Sequence, residues 1–123
     1  MWPDHCVQGS FGCEYVDSLV RKNTDIEILK GQITDVESYS GFGSELENTG
    51  LTEKLHALGV KTVYCVGLAY DYCVGSTAES AANLGFETFI IDEATASVDI
   101  KSAECMHTRM EKAGVKVISE SQL

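Results

Sequence analysis

The stretch from Lys61 to Ile91 constrains the fold of this chain more than any other. Lys61 to Gly67 (KTVYCVG) is a continuous apolar, β-branched run without polar alternation, the pattern of a strand covered on both faces of a parallel sheet. Asp71 to Leu84 (DYCVGSTAESAANL) follows with small residues and alanines at helical spacing, Asp71 as a candidate N-cap and Gly85 as a stop. Phe86 to Ile91 (FETFII) is again strand-like. Strand, helix and strand in such short order make a βαβ unit, whose crossover sets the two strands parallel. The flanks extend the pattern. Asp25 to Leu29 (DIEIL) reads as a strand closed by Lys30 and Gly31, residues 31–44 as a polar loop, and Leu51 to Leu58 as a helix capped by Gly59. Ile100 to Ala113 reads as an amphipathic helix ending at Gly114, and Val115 to Ile118 as a last strand. The expected fold class is α/β: a doubly wound, Rossmann-like parallel sheet with helices on both faces, in three layers.

Ligands of such sheets sit at the carboxyl ends of the strands. Cys73 lies there, in the first turn of the helix that follows Gly67. A helix N-terminus offers free N–H groups and a positive dipole end, which favour a thiolate and can also hold an oxyanion. Lys30 closes a different strand. Alone it reads as a solvated charge, but an ammonium brought beside a thiol would favour its ionised form. The other cysteines read as packing residues: Cys65 inside the apolar strand, Cys105 on a helix, Cys6 in the N-terminal loop. His56 and His107 read as surface residues, and His5 as a loop histidine beside Trp2.

Composition narrows the partners. Nine Lys and Arg stand against nineteen Asp and Glu in 123 residues, a net charge of −10 that repels phosphate backbones and anionic membrane surfaces. No nucleic-acid or membrane partner is expected, and no apolar run approaches the roughly 20 residues of a membrane helix. Five cysteines without a CxxC pair fit reduced thiols, so a soluble, cytoplasmic protein of one domain, residues 1–123, is expected.

Three segments, Trp2–Gly12 (WPDHCVQGSFG), Lys30–Phe42 (KGQITDVESYSGF) and Val66–Val74 (VGLAYDYCV), together resemble the nicotinamidase/pyrazinamidase branch of the isochorismatase-like cysteine hydrolases. Leu84–Ser97 resembles the strand and loop that follow the nucleophile helix in that family. The resemblance implies Cys73 as nucleophile, Lys30 as catalytic lysine, and a cis peptide between Leu68 and Ala69. That peptide would shape an oxyanion hole made by the N–H groups of Ala69 and Cys73. It also implies Trp2 and Tyr39 as aromatic walls for a pyridine ring, with Tyr72 at a neighbouring variable position, and His5 as a metal ligand. A flat ring between such side chains is bound by stacking.

The implied reaction converts nicotinamide to nicotinate and ammonia through a thioester, as in NAD salvage. The implied metal is divalent, zinc foremost, with iron or manganese as alternatives, and would anchor the pyridine nitrogen. A small-molecule amide is the expected partner, with a second copy of the chain or a completing polypeptide besides.

The match departs from the family in three places. The family's aspartate base and its Asp-x-His metal segment belong upstream of Trp2, which leaves His5 without its co-ligands, and Cys13-Glu14-Tyr15 replaces a small residue and a His-Pro pair. The expectation is therefore the C-terminal portion of an isochorismatase-like domain, incomplete at the N-terminus, lacking the two strands that a doubly wound order puts between those ending at Lys30 and Gly67. Such a chain would be inactive or poorly stable alone. The alternatives are a related amidase or ureido-hydrolase, a truncated non-catalytic ligand-binding protein, or a redox thiol protein using Cys73.

Overall fold

The computed structural model describes residues 2–123. A three-stranded parallel sheet forms its centre, in the order β3-β4-β5, with β3 Thr62–Leu68, β4 Glu87–Ala96 and β5 Lys116–Ile118. A two-residue antiparallel ribbon, β1 Gly43–Ser44 with β2 Glu47–Asn48, precedes helix α1, Leu51–Ala57. Helices α2, Gly75–Asn83, and α3, Ile100–Ala113, make the two crossovers. This is the parallel α/β architecture expected. No described helix is long and apolar enough to cross a membrane.

The core lies between the sheet and the α2–α3 pair. Cys65 of β3 and Ile90 of β4 are register partners and share the face that meets Ala78, Met106 and Met110. Ala78 and Ala81 are fully buried, and their small side chains let α2 lie close to the strands. Ile90 has no exposed surface, so its burial contributes roughly 1.5–3 kcal/mol. On the opposite face Tyr64 stacks on Phe89 with 5.1 Å between ring centroids, and Tyr64, Val66 and Leu68 remain exposed.

Local chemistry fixes the ends of α3. The Asp99 carboxylate accepts the Ser102 N–H at 3.1 Å at one end, and Gly114 adopts the left-handed conformation at the other. An Arg109–Glu79 ion pair ties α3 to α2.

Three expectations are corrected. Asp25–Leu29 belongs to no sheet, with Ile26 and Leu29 exposed, because no described strand lies beside it to complete a ladder. Strand β4 runs on to Ala96, well past Ile91, by bulging. The two steps of β3 from Cys65 to Gly67 span the register from Ile90 to Thr95, and Gly67 takes a φ of 104° at that shift. Cys105 is exposed, because α3 buries the Met106/Met110 stripe and position 105 lies off it.

Candidate active site

The carboxyl end of β3 turns sharply. The Leu68–Ala69 peptide is cis, and Ala69 is extended (φ −104°, ψ 146°). Tyr70–Val74 then forms a wide π-helical turn before α2 proper begins at Gly75, so Cys73 precedes the α-helix rather than sitting in its first turn. The Ala69 carbonyl accepts the N–H groups of both Tyr72 (3.1 Å) and Val74 (3.0 Å), which wraps the chain around Cys73. Cys73 is a half-buried free thiol, and its carbonyl accepts from Thr77 Oγ1 at 2.6 Å. With Val66, Leu68 and Thr77 it lines an open groove of about 380 Å³ along β3.

The loop that carries Lys30 and Tyr39 docks on this turn. Thr77 Oγ1, the donor to Cys73 O, also accepts the Gly41 N–H at 2.8 Å, and Ser40 Oγ donates to Ser80 Oγ at 2.9 Å. Lys30 is half-buried and its ammonium donates to Ser38 O at 3.1 Å, not to Cys73. The residues after it are held by Glu47, whose carboxylate accepts the N–H groups of Gln32 (2.7 Å) and Gly31 (3.1 Å). The Gln32 and Gly31 donors, with smaller contributions from Ser38 and the Lys30 charge, outweigh burial and keep the Glu47 carboxyl below its ordinary value.

Trp2, Tyr39, Tyr72 and His5 come together beside the turn. The Trp2 indole N–H donates to the Tyr39 hydroxyl at 3.1 Å. Trp2 meets Tyr72 edge-on at 4.8 Å, Tyr39 lies 5.6 Å from Tyr72, and His5 lies 6.4 Å from Trp2. The Trp2 N–H pulls the Tyr39 phenol down, but the Glu37 carboxylate that accepts from it at 2.8 Å, together with burial, raises it overall. The groove that Cys73 lines along β3 is walled by other side chains, Val66, Leu68 and Thr77 among them.

Asp71 corrects another expectation, because its carboxylate caps neither the π-turn nor α2. It is buried and accepts instead from the start of α3: the N–H groups of Val98 and Asp99, each at 3.0 Å, and Ser102 Oγ at 2.5 Å. Burial pulls its carboxyl up, yet these donors outweigh burial and hold it below its usual value. Asp71, Glu47 and Thr77 are the functional neighbours that sequence reasoning missed. Only Asp71 carried a signal, and it was read for the wrong partner. Cys65 is buried, as expected, and burial pushes its thiol up to about 11. His107 is exposed, with Nδ1 at 2.9 Å from the Tyr70 hydroxyl.

A metal site would need further ligands around His5. His5 Nδ1 donates to the Pro3 carbonyl at 2.7 Å, so in the neutral imidazole Nε2 is the nitrogen with the free lone pair, the usual arrangement of a ligating imidazole. Among the described residues, however, no three His, Cys, Asp or Glu side chains converge to hold an ion. His5 is thus oriented as a ligand, but these residues do not complete a site.

A parallel α/β sheet with a cysteine in a tight strand-to-helix turn, a lysine loop docked on that turn and an aromatic cluster beside it defines the class: the isochorismatase-like α/β fold. The sequence profile of the isochorismatase domain matches residues 1–122, and the chain belongs to that family. The nicotinamidase of Acinetobacter baylyi is 34% identical over 126 residues, covering all of this chain and 59% of that protein. PnC1 of L. infantum, solved in complex with nicotinate, superposes with a TM-score of 0.93 at 35% identity, over 98% of this chain and 62% of that one. The pyrazinamidase of Pyrococcus horikoshii, solved in complex with zinc, gives a TM-score of 0.86 at 35% identity, over 97% and 63%. The chain therefore spans about three fifths of the length of these relatives.

Proposed function

We propose that these residues belong to an amidohydrolase that converts nicotinamide to nicotinate and ammonia, with Cys73 as nucleophile. The observation that carries the reading is the Trp2–Tyr39–Tyr72 cluster packed beside the Cys73 turn, since a pyridine ring is the kind of ligand that aromatic side chains hold by stacking. The identity to nicotinamidases along the whole chain supports it.

In this mechanism the Cys73 thiolate attacks the carboxamide carbon, and the carbonyl electron pair moves onto oxygen. The N–H groups of Ala69 and Cys73 hold that oxyanion. Collapse expels the amine, which takes up the proton that left the thiol and departs as ammonia. Water then adds to the thioester, the C–S bond breaks, and nicotinate leaves with the thiol restored. Lys30, anchored on Ser38 O, contributes positive charge to the site. The proton-transferring base is not assigned to a residue of this chain. His5 would supply one ligand to a divalent ion, zinc foremost, whose chemistry when bound is to anchor the pyridine nitrogen; the other ligands would come from outside these residues.

The test is ammonia release from nicotinamide by the full-length protein, compared with Cys73→Ala. Loss of turnover in the variant, with nicotinamide still bound, is expected. Turnover retained by Cys73→Ala would overturn the mechanism.

A further inference from the structure

We propose that Asp71 is a positioning residue for Cys73: its buried carboxylate fastens the turn that carries the thiol to the first turn of α3. The proposal rests on Cys73 being the nucleophile. Asp71 is 4% exposed and lies two residues before Cys73 in the same π-helical turn. One oxygen accepts from Val98 N–H at 3.0 Å. The other takes Val98 N–H at 3.1 Å, Asp99 N–H at 3.0 Å and Ser102 Oγ at 2.5 Å. These donors are themselves fixed, because α3 is anchored in the core through Met106 and Met110. The line of support runs from the core through α3 and the Asp71 carboxylate to the turn, and so to the placement of the Cys73 sulfur and N–H group.

The Asp71 carboxylate is already engaged by three protein donors, the Val98 N–H shared between both oxygens and the Asp99 N–H and Ser102 hydroxyl on one of them, and its role here is to hold the turn. An asparagine would keep the shape but lose the charge and turn its NH₂ toward a backbone N–H of Val98 or Asp99, a donor facing a donor.

The experiment measures kcat and KM of the full-length protein for Asp71→Asn, Ser102→Ala and the double variant, with iodoacetamide labelling of buried Cys65 as the fold monitor. Because a displacement of about 1 Å costs on the order of 10²-fold in rate, Asp71→Asn should lower kcat about 100-fold and leave KM nearly unchanged. Ser102→Ala removes one of the donors from another helix and should lower kcat about 3- to 10-fold. The double variant should be no worse than Asp71→Asn, since both act through one contact. Cys65 should stay protected throughout.

Wild-type kcat in both single variants, losses confined to KM, or losses that track exposure of Cys65 would each overturn the proposal. If Asp71→Asn fails to fold, Ser102→Ala decides alone by the same criteria. An active Cys73→Ala would instead remove the nucleophile reading on which the proposal rests. An inactive Cys73→Ala beside wild-type Asp71→Asn and Ser102→Ala would remove the positioning role only.

Discussion

Replacing Gly75 by alanine should damage the protein, although the same exchange in an ordinary helix interior stabilises by up to about 1 kcal/mol. Gly75 opens α2 directly behind the Cys73 turn. A methyl group there would lie 2.7 Å from Met106 Sδ and well inside contact with Met106 Cγ and the Tyr70 carbonyl oxygen. Comfortable non-bonded separations are about 3.5–4.0 Å, so roughly 1 Å must be found. Met106 is 3% exposed in the core and has no room to swing aside, while the Tyr70 carbonyl is the backbone of the turn that holds Asp71 and Cys73.

Overpacking of this kind costs about 1–3 kcal/mol, so after the gain in helix propensity the net loss of stability is about 0–2 kcal/mol. The larger effect falls on turnover. A shift of about 1 Å at the turn should lower kcat by on the order of 10²-fold. Urea unfolding followed by far-ultraviolet circular dichroism gives the first quantity, and steady-state ammonia release gives the second. A Gly75→Ala protein with a raised urea midpoint and undiminished kcat would refute the reasoning.

Two further outcomes are expected. Because the folded-state pKa of Glu47 is depressed, its contribution to stability is present above its unfolded value, about 4.3, and is lost as pH falls through the folded value. Urea midpoints between pH 7 and pH 3 should therefore fall less steeply in Glu47→Gln than in wild type, and equal slopes would show that the contacts to Gln32 and Gly31 carry no linkage. In native protein at pH 8, iodoacetamide should label the exposed Cys6, Cys13 and Cys105 and spare Cys65, which burial protects and raises to about 11. Peptide mapping that finds Cys65 labelled as fast as Cys105 would contradict the core described above.

The elements that read correctly from sequence carry their own punctuation. Helix α3 was bounded at Ile100 and Ala113 because an apolar stripe is enclosed by Asp99 before and Gly114 after, and both residues act locally. Strand β3 was legible because its run is continuous and a helix follows at once. Asp25–Leu29 has strand propensity too, but propensity does not supply a neighbour, and without one the segment stays unpaired. The end of β4 was missed because Asp92 to Ala96 is polar and small, and the bulge that carries it along β3 depends on register rather than composition.

At the site, the Cys73 turn and the aromatic residues were legible through motif spacing. The groups that hold them were not. Glu47 is one acidic residue in a polar loop, Thr77 one hydroxyl in a helix of small residues, and the loop groups they hold, Gln32 and Gly41, lie 15 and 36 positions away. Periodicity carries no trace of such pairings.

These missed groups divide the site into a part that is tied and a part that is adjustable. Thr77 binds the Cys73 carbonyl and the Gly41 N–H, Glu47 binds the N–H groups of Gly31 and Gln32, and Asp71 binds those of Val98 and Asp99. Each tie ends on backbone, so it fixes where the thiol and lysine segments run without specifying the side chains that project from them. The aromatic cluster is held differently, by side-chain bonds from the Trp2 indole to the Tyr39 hydroxyl and from that hydroxyl to Glu37, and by edge-on and tilted contacts between exposed or half-buried rings. Substitution at Tyr39 or Tyr72 should thus change which ring is accepted while leaving the backbone that presents Cys73 in place. On the proposed function, this division assigns ring preference to the aromatic cluster and the placement of Cys73 and the Lys30 segment to the backbone ties made by Asp71, Thr77 and Glu47.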